Sequence, residues 1–200
     1  LDHFNGFNHL LGRYAFGALL VNGRSDAPAA EEWQALLDKA SAEGIPLLTL
    51  ARGDQILYRE NTIFVLSPDE GWKESGELND TGLVELVQTS QLRALLVADV
   101  GFNVEDDLVE IFDLRADILK VGHHGSKYSS GEAFLSEVKP KLAVVGVGAG
   151  NRYGHPTDET LTRLTASGAK VLRTDENGTV SVLVERGKLK VFAETQDSRR

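Results

Sequence analysis

The sequence predicts an α/β chain, and three observations carry that prediction. Apolar runs of strand length alternate with segments of helical spacing. Gly, Pro and Asp punctuation separates them at short intervals. With 42% hydrophobic and 26% charged residues over 200 positions, the chain can also fill a core. Strand pairs mixed with strand–helix units suit a mixed sheet, or two packed sheets with helices outside. No repeat, low-complexity tract or linker interrupts the pattern, so one domain is expected over residues 1–193, with a polar tail over 194–200.

Residues 14–21 read as a helix end leading into a strand at 18–21. Trp33, Leu36, Leu37 and Ala40 recur at helical spacing, which predicts a helix over 29–43 that Gly44 stops. Residues 46–51, 55–58 and 62–66 are short and β-rich, with Gly53-Asp54 as a turn. The polar stretch 67–80, with Pro68, Gly71 and Gly76, reads as a loop. Residues 82–89 and 93–98 read as a hairpin. Val104, Leu108, Ile111 and Phe112 share one face of a helix over 104–114. In that helix Glu105 and Asp106 fall in the first turn, where negative charge is favoured. A strand at 118–121, a helix at 131–138 and a doubly apolar buried strand at 142–147 follow. Pro156-Thr157-Asp158 opens a helix that Gly168 ends, and strands at 170–173, 179–184 and 189–193 close the chain.

The most informative stretch is Gly122-His123-His124-Gly125-Ser126, directly after the strand at 118–121. Neutral imidazole is a common ligand for divalent transition metals. Adjacent histidines on a strand point to opposite faces, so one faces an ion unless the turn reorients the other. His3, in Asp2-His3-Phe4-Asn5-Gly6, and His155, in Tyr153-Gly154-His155-Pro156, also lie in Gly-rich loops. Asp99 ends the apolar run 94–98 just before Gly101. His and Asp from separate strand ends are what a hydrolytic zinc or manganese site requires. His9 lies on a helical pattern with no partner motif.

Composition excludes several classes. The formal net charge is −9, which argues against a permanent nucleic-acid coat but not against a local basic strip over a site. Without cysteine, thiolate metal sites, disulfides and thiol catalysis are impossible. No run of 18 apolar residues is present, and no signal-peptide pattern opens the chain, which is expected to be soluble. It contains no methionine and starts at Leu1, so a piece of a longer protein is expected.

Four motifs carry a resemblance. They are residues 119–130 around the His-His turn, 138–144 followed by Gly150-Asn151-Arg152-Tyr153-Gly154-His155-Pro156, 173–180, and Leu78-Asn79-Asp80-Thr81-Gly82-Leu83-Val84. Together, in this order, they resemble the metallo-β-lactamase-like domain of the ComEC family of DNA-uptake (competence) proteins, and the similarity spans nearly the whole chain. The resemblance implies an αββα sandwich, here lacking its first strands, with two divalent ions (zinc or manganese) at the sheet edge. Asp2 and His3 match a ligand pair, and Asp2 is also implied in catalysis. Asp99 matches the bridging carboxylate, and His123 or His124, with a lean to His124, matches a later ligand. His155 and Asn151 match a loop contacting a phosphate or the leaving group, and two further ligands are expected upstream of Leu1. The usual Gly before the bridging Asp is Ala98 here.

The implied chemistry is hydrolysis of DNA phosphodiesters by metal-bound hydroxide, in a domain that degrades the strand not imported. Lys127, Arg152 and Lys120 are candidates for gripping phosphates, with Ser126 and Tyr153 beside them in the substrate-binding set. Tyr128 and Tyr153 either pack beside the turn or stack on a base, and Asp80 or Asp175 is a candidate for orienting an imidazole. Implied partners are transient single-stranded DNA and the membrane channel portion of the parent. The parent would sit in the cytoplasmic membrane with this domain, a monomer when isolated, outside it. Two alternatives stand beside this: a small-molecule phosphodiesterase or esterase on the same fold, and a metal-free DNA-binding or scaffold domain.

Overall fold

A computed structural model describes residues 3–24, 30–75 and 77–194. The chain splits into two compact units, divided between Ala51 and Arg52. The class is the expected one, mixed α/β.

In the smaller unit, helix α1 (Phe7–Leu10) precedes strand β1 (Leu19–Val21), helix α2 (Ala30–Ala42) and strand β2 (Leu47–Thr49). β1 and β2 pair in parallel, and α2 makes the crossover. The helical spacing read from the sequence becomes a small core. Leu36 and Ala40 of α2 are buried with Leu11 and Leu19, and Trp33 meets Phe4 edge to face at 5.2 Å.

The larger unit is built on a seven-stranded mixed sheet. Its strands are β3 (Gln55–Tyr58), β4 (Asn61–Ser67), β5 (Val84–Gln88), β6 (Arg93–Leu96), β7 (Ile118–Lys120), β8 (Leu142–Val145) and β9 (Lys170–Arg173), in sequence order across the sheet. β3 to β6 are joined antiparallel, and the β5–β6 pair is the hairpin expected over 82–98. From β6 to β9 the pairing is parallel, so each link is a crossover carrying a helix. These helices are α4 (Phe102–Ile111), α5 (Glu132–Val138) and α6 (Asp158–Ala166), preceded in the chain by α3 (Glu70–Ser75) and followed by the single-turn α7 (Thr174–Asn177). Strands β10 (Val180–Glu185) and β11 (Lys188–Ala193) form a separate antiparallel hairpin. The core takes Leu95 and Val97 around β6, Leu119 and Val121 around β7, Ala143 and Val145 of β8, and Val104, Leu108, Phe134, Val138 and Leu164 of the crossover helices. Burying one such side chain contributes about 1.5–3 kcal/mol, so this layer dominates the unit's stability.

Two elements depart from the sequence reading. Residues 67–80 hold α3 and a short 3₁₀ turn at Asn79–Thr81 rather than a loop. Glu105 does fall in the first turn of α4, but it is 1% exposed inside the fold rather than set there as a simple dipole partner.

The parallel half sets the site. The carboxyl ends of β6, β7, β8 and β9 lie along one sheet edge, where open α/β sheets place their ligands. Asp99, the two turn histidines and the 146–155 loop follow the first three of these ends.

Candidate metal centre

After β7 the chain turns through Gly122–Gly125 with His123 at φ 46° and His124 at φ 53°. Both are left-handed, a region L-residues enter at a cost of roughly 1–2 kcal/mol each. That geometry answers the question left by adjacency, since neither histidine stays on the strand's alternation. The His124 ring turns towards β8, and its Nδ1 lies 2.7 Å from the Gly146 carbonyl oxygen. A carbonyl only accepts, so Nδ1 carries a proton. Nε2, the remaining nitrogen, lies 3.6 Å from Asp99 Oδ2. The His123 ring goes elsewhere, meeting His155 edge to face at 5.7 Å between centroids.

Asp99 is held by a matching distortion. Ala98 is left-handed at φ 44°, and its carbonyl oxygen accepts the His123 N–H at 3.0 Å. The position where the family pattern has glycine is therefore one where glycine's conformational freedom would count. Among the described residues, four of the seven non-glycine residues at positive φ are Ala98, His123, His124 and Ser130. Such strain persists only where surroundings over-determine it, and it concentrates at functional sites.

The turn is packed against the next loop. A Cβ on Gly125, at φ +85°, would sit 2.4 Å from Pro156 Cβ, so only glycine fits there. Thr157 N donates to Gly125 O at 2.9 Å, and Thr160 Oγ1 donates to Ser126 O at 2.7 Å. Residues 127–131 are gripped from two helices. Arg163 of α6 donates through Nε to Ser130 O at 2.9 Å, and through Nη2 to Ser129 O at 2.9 Å and Lys127 O at 3.0 Å. Phe102 N donates to Tyr128 O at 3.0 Å. Glu105 of α4 accepts the Ser130 and Gly131 N–H groups at 2.6 and 2.8 Å. Five consecutive carbonyls, from Ser126 to Ser130, thus have donors in a loop with no regular structure. Burial pushes Glu105 up to about 7, against the two backbone donors and the Arg163 charge, which pull it down.

The remaining expected residues fall as follows. Asp2 lies outside the described residues. His3 lies in the smaller unit, exposed in a turn. Asn151 spends its amide inside its own loop, with Nδ2 donating to His155 O at 2.6 Å and Oδ1 accepting His155 N at 3.1 Å. It shapes the loop that carries His155 rather than turning its amide outward. Ser126 is buried, and its Oγ accepts from Tyr128 N at 3.3 Å, so it too serves the loop. Burial, followed by the His123 and His124 charges, lowers the His155 pKa. The His155 Nδ1 is buried without a hydrogen-bond partner among the described residues. Lys120 is half-buried with Nζ donating to Val121 O at 3.0 Å; burial lowers its pKa and the Asp99 charge opposes that. Lys127, Arg152 and Tyr153 are exposed. Neither Asp80 nor Asp175 orients an imidazole: Asp80 accepts Gly101 N, and Asp175 pairs with Arg173 at 2.7 Å. Gly146 O takes that role for His124, and a backbone carbonyl leaves no signal in a sequence.

The donor set fits a divalent ion. At 3.6 Å, His124 Nε2 and Asp99 Oδ2 are too far apart for a hydrogen bond. Two donors about 2.1 Å from one tetrahedral ion lie about 3.4 Å apart, close to the separation found. The imidazole is pinned through its other nitrogen, as ligating histidines are.

No family model matches the chain. Among curated proteins, it is 34% identical over 181 residues to ComE operon protein 3 of Bacillus subtilis (strain 168), covering 90% of this chain. It is 39% identical over 98 residues to Competence protein ComA of Neisseria gonorrhoeae, and 31% over 113 residues to Recombination protein 2 of Haemophilus influenzae, covering 48% and 56% of this chain. The chain spans 23%, 14% and 14% of the lengths of these relatives. Among solved structures, zinc-bound PqqB from Methylobacterium extorquens aligns at TM-score 0.48 and 13% identity, over 86% of this chain and 67% of that one. A protein titled a metal-dependent hydrolase, from Parabacteroides distasonis, aligns at 0.43 and 14%, over 80% and 76%. Homologous along nine-tenths of this chain to ComE operon protein 3, and along about half of it to ComA and Recombination protein 2, the chain is a homologue of part of the ComEC-family proteins.

Proposed function

We propose that this chain is a metal-dependent phosphodiesterase domain acting on DNA. The observation that carries this is the pairing of His124 Nε2 with Asp99 Oδ2 at the carboxyl edge of the parallel strands. A bound zinc or manganese ion, or two, would supply Lewis acidity and an activated water at neutral pH.

The chain's own groups do the rest. The Asp99 carboxylate and His124 Nε2 would hold the cation. Gly146 O keeps the His124 proton on Nδ1, so the lone pair is on Nε2, the atom that faces Asp99. Lys127 and Arg152 attract the phosphates flanking the scissile bond, and the half-buried Lys120 adds positive charge beside Asp99. His155, whose ring meets His123, is assigned to protonate the leaving oxygen. In the longer protein, the domain is assigned to the outer side of the cytoplasmic membrane, degrading the strand that is not imported. Among the described residues no helix is long and apolar enough to cross a membrane.

The test is hydrolysis of single-stranded DNA with added Mn²⁺. Turnover that His124→Ala and Asp99→Ala abolish supports the reading. Turnover that survives both substitutions refutes it.

A further inference from the structure

Two loops from different parts of the chain border the histidine turn, and each presents a cation followed by a tyrosine. One carries Lys127-Tyr128, the other Arg152-Tyr153. Both rings are turned to solvent, Tyr128 at 63% and Tyr153 at 76% exposure. Lys127 Nζ lies 5.0 Å from the Tyr128 ring centroid. Tyr153 stacks on His155 at 6.3 Å and 21°, and His155 in turn meets His123. The Tyr128 loop is rigidly preset, because Arg163, Phe102 and Thr160 hold its carbonyls and Glu105 its N–H groups. An ordered backbone displaying large exposed rings does not contribute to a core. It is a surface preorganised for a flat ligand.

A cation beside an aromatic face suits one nucleotide, with the ammonium or guanidinium on the phosphate and the ring under the base. In a chain of net charge −9, two such pairs on the loops beside one histidine turn are a local exception; Lys127 lies over its ring, and Arg152 adjoins Tyr153 in the sequence. We infer that Lys127-Tyr128 and Arg152-Tyr153 form two nucleotide subsites that accept unpaired bases on either side of the cleaved phosphate. This inference rests on the phosphodiesterase reading above and narrows its substrate to strands whose bases are not paired. Bases in a duplex keep their faces stacked on one another and cannot occupy either ring.

The experiment measures binding in EDTA, where no cleavage occurs. A short labelled single strand, its abasic counterpart and a blunt duplex are titrated by fluorescence anisotropy against the wild type, Tyr128→Ala, Tyr128→Phe, Tyr153→Ala and Tyr153→Phe. Each alanine should weaken the base-bearing strand about 10- to 100-fold, and each phenylalanine should restore it. The abasic strand should bind the wild type no better than it binds the alanine variants. Wild-type affinity in both alanine variants, equal wild-type affinity for base-bearing and abasic strands, or no affinity of the wild type for the single strand would each overturn the inference. Hydrolysis of bis(4-nitrophenyl) phosphate with Mn²⁺ by the wild type is the separate control. Its absence sinks the phosphodiesterase reading and leaves the stacking result standing on its own.

Discussion

Replacing Arg163 with methionine removes the donor for three carbonyls at once. The Lys127 carbonyl bond is exposed, so water takes it over at little cost. Ser129 and Ser130 are fully buried, and their carbonyls lose a charged donor without an obvious replacement. Each loss costs roughly 1–3 kcal/mol. Loss of the guanidinium from above the Phe102 ring, 5.5 Å away, adds about 0.5–1 kcal/mol. The sum is about 2.5–7 kcal/mol, a large share of the roughly 5–15 kcal/mol by which a domain is stable. Arg163→Lys should recover only part of this, since one ammonium cannot copy the planar fork that spans Ser129 and Ser130. Urea unfolding gives the stability change, and amide hydrogen exchange at Ser130 and Gly131 reads the loop directly. A change under about 1 kcal/mol in the methionine variant, with exchange at both amides unaltered, would show that the guanidinium does not hold the loop.

Other expectations follow from the same geometry. The folded-state pKa of Glu105, about 7, lies above its ordinary 4.5, so the native state binds the extra proton between those values. Stability from this group is full below about pH 4.5 and falls by about 3 kcal/mol as pH rises through 7; the fall should vanish in Glu105→Gln, and a wild-type stability that is flat from pH 5 to 8 would contradict the assignment. Gly125→Ala combines a left-handed φ with a Cβ driven into Pro156, so it should lower stability by about 3 kcal/mol or more and disorder the histidine turn, seen as loss of the native His123 and His124 imidazole NMR signals. A fully folded Gly125→Ala protein with unshifted imidazole signals would mean the turn and the 151–156 loop are not wedged together.

Much of the larger unit is legible in the sequence because its signals are local. The apolar run of β8 and the 3.6-residue spacing of α4 are set by which face each residue buries. The segment 67–80 hides α3 because Trp72 is its main apolar anchor and Pro68 and Gly71 read as breakers. Trp72 is placed by long-range partners, packing against the core and facing Asp107, whose carboxylate lies 3.4 Å from the indole Nε1 and pairs with Arg52. Glu105 fails for the same reason. A carboxylate in a helix's first turn looks like a dipole partner, and its two N–H donors lie 25 and 26 residues further on. Within the candidate site, the ligand types Asp99 and His124 stand out as residue chemistry at strand ends. The divergence of His123 from His124 depends on two left-handed dihedrals that no side chain announces. Asn151 and Ser126 have the right chemistry for substrate contact, but in the fold their polar atoms serve their own loops.

The claim on which the rest depends is that Asp99 and His124 share one cation. Calorimetric titration of the chain with Mn²⁺ or Zn²⁺ tests it most directly. Saturable binding that weakens at least about 10-fold in both His124→Ala and Asp99→Ala, with the fold intact by circular dichroism, is the predicted result. Equal affinity in the wild type and both variants would place any metal elsewhere and contradict the account.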